Sequence, residues 1–249
     1  MIRKRKNGTH IQRKAATDLN YVISDLHGQY DSYEKLLKKI HFTDDDTLYL
    51  LGDVLDYGDG GLRILNDAMG RSNVFPILGD HEMTAARLLH RMRLQEQGKK
   101  PPSAAFQKEF SAWITTGGGM PTVTAFRLLN DEEQDSVLEY LREECVPYEL
   151  AEVGKKTFLL VHAGIPAGCT ADGLDDCPVK ELITGHAEFP QEAPEGMTLV
   201  TGHTPTEELD EENGGRALFS EHHIAIDCGA ADGGFACCLC LDDGTCHYA

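Results

Sequence analysis

The sequence predicts an α/β fold in which two sheets pack face to face with helices outside. Three observations carry this. The first half of the chain alternates short apolar runs with helical stripes. Alternation of that kind gives parallel strands with crossover helices on the outer face. The second half holds closely spaced strand candidates, two pairs of them joined by tight turns. Finally, 249 residues at 41% hydrophobic content are enough to build one core of this size.

Each element follows from local pattern. Tyr21, Val22 and Ile23 form the first strand candidate, and SDLHG (Ser24 to Gly28) follows it. Tyr33, Leu36, Leu37 and Ile40 then recur at i, i+3, i+4 and i+7, one stripe of a helix. TLYLL (Thr47 to Leu51) reads as a strand, and Gly61 to Met69, with Leu62, Ile64 and Leu65 apolar, as a helix. VFPIL (Val74 to Leu78) is the next strand. The spacing of Ala85, Leu88, Leu89 and Met92 predicts a helix from Met83 to about Arg93. From Gln95 to Glu144 the chain reads as polar helix, broken at Gln97 to Pro102 and at Gly117 to Pro121. The glycines of TTGGGMP (Thr115 to Pro121) make that run a turn or loop, with an active-site loop as its functional reading. Strand candidates then follow in series: Tyr148 to Val153, Thr157 to Ala163, Met197 to His203, His223 to Gly229, Gly234 to Leu241 and Thr245 to Ala249. Gly154-Lys155 and Asp242 to Gly244 read as hairpin turns.

Charge narrows the partners. The formal net charge is -18, and the segment to Lys14 carries six cations and no acid, which leaves -24 on the body. A body that acidic repels phosphate backbones, which argues against nucleic acid as a partner. Any anionic substrate must then be attracted locally. No apolar run approaches the ~18 residues of a membrane span. The basic residues Arg3 to Lys6, Arg13 and Lys14 are not followed by the apolar stretch of a secretory signal. The expectation is a cytoplasmic protein without a membrane partner. Residues 1–16 read as a basic, flexible tail, with a nucleic-acid or membrane-surface arm as the lesser reading, and residues 17–249 as one domain. Eight cysteines without a secretion signal point to free thiols. Cys237 and Cys240 have CxxC spacing, but a strand points them to opposite faces, so buried thiols are expected rather than a zinc clip.

Five segments carry the chemistry: SDLHG, GDVLDYG (Gly52 to Gly58), GDHE (Gly79 to Glu82), LVHAG (Leu160 to Gly164) and TGHTP (Thr201 to Pro205). Each follows or includes a strand candidate. Strand ends hold ligands rigidly, and loops let their side chains converge, so Asp and His gathered there suit a metal site on a sheet rim. His27, His81, His162 and His203 sit in these frames. His10, His41, His90, His186, His222, His223 and His247 do not, and read as ordinary surface or core residues.

The set resembles the calcineurin-like metallophosphoesterases of the phosphoprotein phosphatase type. Small bacterial serine/threonine phosphatases and symmetrical dinucleoside tetraphosphate hydrolases are the most similar groups. That family carries GDxHG, GDxxDRG, GNHE and two separated His motifs, and IAIDCGAADGG (Ile224 to Gly234) is similar to its closing strands. The resemblance runs from about Asn20 to the C-terminus. It implies a four-layer α-β-β-α sandwich of two mixed sheets and a centre of two divalent transition metals. By the same resemblance Asp25 and His27 hold the first metal, Asp53 bridges both, and Asp80, His162 and His203 hold the second. A mixed carboxylate and imidazole set suits manganese first, with iron or zinc as alternatives, over calcium or magnesium. A hydroxide between the metals would attack phosphorus in line. His81 would donate the proton to the leaving oxygen, and Asp56 would orient His81.

The implied activity is hydrolysis of phosphate esters, on a phosphorylated protein or a small phosphate ester. A serine/threonine-type protein phosphatase or phosphomonoesterase comes first. A phosphodiester or nucleotide-polyphosphate hydrolase is the alternative, and a metal-binding pseudoenzyme or binding module the reading from another class. Two departures bear on substrate. Tyr57 stands where the family has Arg, and Asp80 where it has Asn. Tyr57 is left as the substrate contact and can donate a hydrogen bond without charge, where Arg would clamp two oxygens. Lys180 is the only cation between His162 and His203. The expectation is a site that holds its second metal well and grips a phosphate dianion poorly.

Overall fold

A computed structural model describes residues 18–185 and 188–249. The tail expected over residues 1–16 therefore lies outside the described residues. Strands β1 (Asn20–Ile23), β2 (Thr47–Leu50) and β3 (Val74–Pro76) alternate with α1 (Tyr30–Lys39) and α2 (Gly61–Met69). Then come α3 (Asp80–Glu96), α4 (Ala104–Thr115), α5 (Met120–Leu128) and α6 (Asp131–Glu139), closed by a π-helical turn over Tyr140–Glu144. Asn130 sets the α5–α6 break, its side chain accepting from the backbone N–H groups of Glu132 and Glu133. The rest is β4 (Tyr148–Val153), β5 (Lys156–Val161), α7 (Val179–Thr184), β6 (Met197–Thr201), α8 (Thr206–Leu209), β7 (Leu218–Phe219), β8 (His223–Ala225), β9 (Cys237–Cys240) and β10 (Cys246–Tyr248).

The strands form two mixed five-stranded sheets, in the orders β10-β9-β1-β2-β3 and β4-β5-β6-β8-β7. β1, β2 and β3 run parallel, as do β5, β6 and β8. The two tight turns expected close antiparallel hairpins, with Val153 opposite Lys156 and Cys246 opposite Leu239. Alternation along each strand sorts the core. Val22, Leu160, Val200, Ile224 and Leu239 meet between the sheets. Their neighbours Ile23, Leu50, Leu159, Val161 and Leu199 face outward, in a cluster with Leu36, Ile64, Leu65, Leu182 and Ile183 of the helices. Full burial of such a side chain contributes about 1.5–3 kcal/mol. The same alternation puts Cys237 in the inter-sheet layer and Cys240 on the helix side, and both are free thiols.

α3 and β7 differ from the sequence expectation, and the short helices α7 and α8 have no counterpart in it. α3 begins at Asp80, three residues before Met83. Its first turn is polar, so the apolar stripe is silent there, and Glu82 caps it by accepting from the backbone N–H of Gly79 at 3.2 Å. β7, with two residues, is too short to leave a period-2 signal.

Candidate active site

The candidate residues stand just past the C-terminal ends of parallel strands from both sheets: Asp25 and His27 after β1, Asp53 and Asp56 after β2, Asp80 and His81 where β3 runs into α3, His162 after β5, and His203 after β6. Backbone bonds lash these loops together. The N–H of His27 donates to Asp53 O at 2.9 Å, and that of Gly28 to Val54 O at 2.8 Å. The N–H of Gly202 donates to His162 O at 2.8 Å. The sheets are joined where the N–H of His203 donates to both oxygens of Asp25 at 3.1 Å. Among the described residues, non-glycine residues at positive φ are His41 and six from this rim: Asp25, His27, Asp53, Asp56, Tyr57 and His203. Such conformations cost on the order of 1–3 kcal/mol each and persist where the surroundings enforce them. Gly52 sits at φ +88°, and a Cβ there would lie 2.6 Å from His162 Nδ1.

Asp53 is the hub. Its Oδ2 lies 3.3 Å from His162 Nε2, 3.7 Å from His27 Nε2 and 4.0 Å from His81 Nε2. Asp80 Oδ1 lies 3.5 Å from His162 Nε2 and 3.2 Å from His203 Nδ1. Ligand atoms of Asp53, Asp80, His162 and His203 fall within 4.8 Å of one another, and so do those of His27, Asp53 and His81. Asp25 stands beside these clusters, its carboxylate engaged by Ser24 and His203.

The donor set has the form a metal requires. His27 Nδ1 donates to Leu55 O at 3.0 Å and His162 Nδ1 to Leu51 O at 2.7 Å. A backbone carbonyl on one ring nitrogen fixes the tautomer and leaves the Nε2 lone pair for a cation. His162 Nε2 and Asp80 Oδ1 are buried without a hydrogen-bond partner. Buried polar atoms are normally paired, so two orphans 3.5 Å apart mark a place for a ligand. The cluster of Asp53, Asp80, His162 and His203 fits one divalent cation, and His27 with Asp53 offers the start of a second site beside Asp25.

Negative charge is crowded here. Burial and then Asp53 push Asp25 up to about 7. The same two causes push Glu82 up to about 7, and burial with Asp25 pushes Asp227 up to about 8. Cations at the site would pull all three back down. Burial opposes a charged ring at His81, but the hydrogen bond to Asp56 and the charge of Asp53 outweigh it and raise it to about 9. His81 Nδ1 donates to Asp56 Oδ2 at 2.6 Å.

Tyr57 is 51% exposed at the rim. Its ring packs edge-on to His27, with centroids 5.0 Å apart. Among the described residues the site carboxylates pair with histidines and with no Lys or Arg. Lys180 is exposed, and the Arg216 guanidinium lies 3.8 Å over the Phe235 ring and 4.4 Å over Tyr248. The TTGGGMP run does abut the site: the N–H of Tyr57 donates to Gly118 O at 2.8 Å.

Sequence reasoning missed several residues. Glu82 accepts the backbone N–H groups of Asp53, Val54, Leu55 and Gly79, and so holds the GDVLD loop on α3. Its place in GDHE was a signal, but its work is not local. Asp227 stands two residues past the end of β8, a further parallel strand, and its place just after a strand end could have pointed to it. Trp113 and Thr122 left no signal, being 57 and 66 residues from the Asp56 they contact.

Comparison with known proteins places the chain in a family. The family described as calcineurin-like phosphoesterase matches residues 21–226. The symmetrical bis(5'-nucleosyl)-tetraphosphatase of Paracidovorax citrulli is 26% identical over 198 residues, which cover 78% of this chain and 60% of the relative. That of Salmonella paratyphi C is 33% identical over 147 residues, 58% of this chain and 43% of the relative. The chain thus spans roughly half the length of the curated relatives it matches. Among solved structures, one described provisionally as a diadenosine tetraphosphatase superposes with a TM-score of 0.61 at 16% identity, covering 95% of each chain. A serine/threonine protein phosphatase from Saccharomyces cerevisiae gives 0.53 at 14% identity, covering 91% of this chain and 73% of that one. The likeness to these two structures is one of fold. The chain belongs to the calcineurin-like phosphoesterase family.

Proposed function

We propose that this chain is a metal-dependent hydrolase of phosphate esters and anhydrides, with nucleoside polyphosphates as its substrate class. The observation that carries the chemistry is the convergence on Asp53 of His27 and His162, each held by a backbone carbonyl, with Asp80 and His203 alongside. In this reading Asp25 and His27 hold one divalent cation, Asp80, His162 and His203 the other, and Asp53 both. Two such cations, manganese first, supply Lewis acidity and make a bound water acidic enough to attack phosphorus near neutral pH. The chain's own residues do the rest. His81 presents Nε2 to the leaving oxygen and delivers a proton to it. Asp56 accepts from Nδ1, so the proton to be delivered sits on the nitrogen that faces the site. Tyr57 offers a hydroxyl to a substrate oxygen at the rim.

Two observations support the substrate class. The curated relatives above are named as symmetrical tetraphosphatases. Among the described residues no Lys or Arg pairs with the site's carboxylates, so a compact dianion gains little from their side chains. A polyphosphate spreads its charge over several groups and reaches beyond the centre. A phosphomonoesterase acting on phosphoserine or phosphothreonine is the second reading. The complete His81–Asp56 pair favours it, because an alkoxide needs its proton far more than a nucleotide phosphate does.

The test is steady-state turnover with manganese of diadenosine tetraphosphate, 4-nitrophenyl phosphate, bis(4-nitrophenyl) phosphate and a phosphoserine peptide. The expected result is the highest kcat/KM on the tetraphosphate, with ADP released. A preference for the peptide moves the assignment to the second reading. A metal-loaded protein that turns over none of the four refutes both.

A further inference from the structure

Asp56 is fully buried, and its carboxylate is shared among three side chains. Oδ2 accepts from His81 Nδ1 at 2.6 Å and from Trp113 Nε1 at 2.7 Å. Oδ1 accepts from Thr122 Oγ1 at 2.6 Å, and Thr122 Oγ1 in turn accepts from the N–H of Asp56 at 3.1 Å. Trp113 and Thr122 belong to α4 and α5, which contribute none of the five strand-end motifs. Both are buried. The glycines between the two helices let them close in. A Cβ at Gly119 would collide with the Trp113 indole. One at Gly118, where φ is +72°, would meet the Tyr57 ring at 2.8 Å.

The geometry points to Trp113 and Thr122 as positioning residues for the proton donor. They hold the Asp56 carboxylate in the single orientation that aims His81 Nε2 at the leaving oxygen, and so make the α4–α5 segment part of the catalytic frame. The physical reason lies in the two carboxylate oxygens. A carboxylate with one partner pivots about its Cβ–Cγ bond and carries the imidazole with it. Here each oxygen is pinned by a donor from a different helix, and the carboxylate plane is set. Donated bonds of this length to a buried anion are the strong, directional kind. This inference rests on the acid role proposed for His81.

The experiment exploits leaving-group chemistry. 4-Nitrophenolate departs with little help, whereas phenolate from phenyl phosphate needs a proton in the transition state. Trp113→Phe and Thr122→Val, assayed in the manganese-loaded full chain, should lower kcat on phenyl phosphate by about tenfold, less than the ~100–10,000-fold of a lost general acid because the imidazole itself remains. The loss on 4-nitrophenyl phosphate should be several-fold smaller, with KM little changed on either ester. Thr122→Ser, which keeps the hydroxyl, should restore the parent's behaviour. In a His81→Ala background neither variant should add a further leaving-group effect, because there is no imidazole left to aim. Equal losses on both esters, or losses that multiply with that of His81→Ala, would make Trp113 and Thr122 simple packing residues and overturn the inference. So would Thr122→Val matching the parent on phenyl phosphate. If His81→Ala itself treats both esters alike, the acid role has failed, and this inference falls with it. Should Trp113→Phe not fold, Thr122→Val removes one hydroxyl at constant shape and carries the same test.

Discussion

Glu82→Gln probes what holds the centre in place. Glu82 is 1% exposed and has four backbone donors. Oε2 accepts from Asp53 N at 2.7 Å and Gly79 N at 3.2 Å, and Oε1 from Val54 N and Leu55 N at 3.0 Å each. Glutamine turns one of these oxygens into an NH2 group that faces two N–H donors. Two bonds are lost and two buried N–H groups orphaned, at about 1–3 kcal/mol each, or about 2–6 kcal/mol together. A second effect opposes this. Burial and then Asp53 push the Glu82 carboxyl up to about 7, so removing its charge relieves its desolvation and the repulsion from Asp53. A rise from 4.5 to about 7 corresponds to about 3 kcal/mol. Which effect wins depends on the cations. Without them the two nearly offset, and the variant should lose little. With them nearby positive charge favours the ionised carboxylate, and the orphaned donors dominate. Glu82→Gln should therefore be about 2–6 kcal/mol less stable in the presence of manganese, and nearly as stable as the parent in chelator. Asp53 would be released as well, so manganese affinity should drop about 10–100-fold, as for other residues that orient metal ligands. Denaturant unfolding with and without manganese gives the first quantity, and equilibrium dialysis the second. A variant equal to the parent in manganese, by both measures, would refute the reasoning.

Three further outcomes are expected. Protein supplied with manganese should hold about two divalent ions per chain by elemental analysis, as a two-metal site requires; a folded chain with none would dissolve the ligand assignment. Tyr57→Arg with Asp80→Asn should raise kcat/KM for an aryl phosphate relative to an aryl phosphodiester, chiefly through KM, by adding a cation and removing an anion at the site; a ratio that holds or falls would refute the charge argument. His223 is buried and neutral, its Nδ1 accepting from Gln191 N and its Nε2 paired with Thr201 Oγ1, and burial lowers it to about 4. The unfolded chain takes up that proton near 6.5 and the folded chain does not, so this contribution is present above 6.5 and lost as pH falls toward 4, by up to about 3 kcal/mol. Urea midpoints at pH 7 and 4.5 for the parent and His223→Gln measure it, and parallel losses in the two proteins would clear His223.

The strand-end motifs of this chain are local statements. Asp25 and His27 follow an apolar run, as do Asp53, Asp80, His162 and His203, and their order along the sequence is the order of the strands that carry them. Period-2 alternation likewise separates Cys237 from Cys240 by sequence alone, as the two faces of β9 do in the fold. Both patterns span a few residues, and the backbone geometry of one strand suffices to express them. Contacts across the fold are different in kind. The bond from His203 N to Asp25 joins residues 178 apart, and nothing near either one announces it. The same holds for Trp113 and Thr122 on Asp56, for Arg216 stacked on Phe235 rather than turned to the site, and for Asp25 standing beside the clusters that the other ligands form. The sequence by itself determined which side chains stand at which strand ends. Only the packing of two sheets, with α4 and α5 laid against one rim, decided the distances between them, because those distances depend on how whole layers settle against each other and on no single stretch of chain.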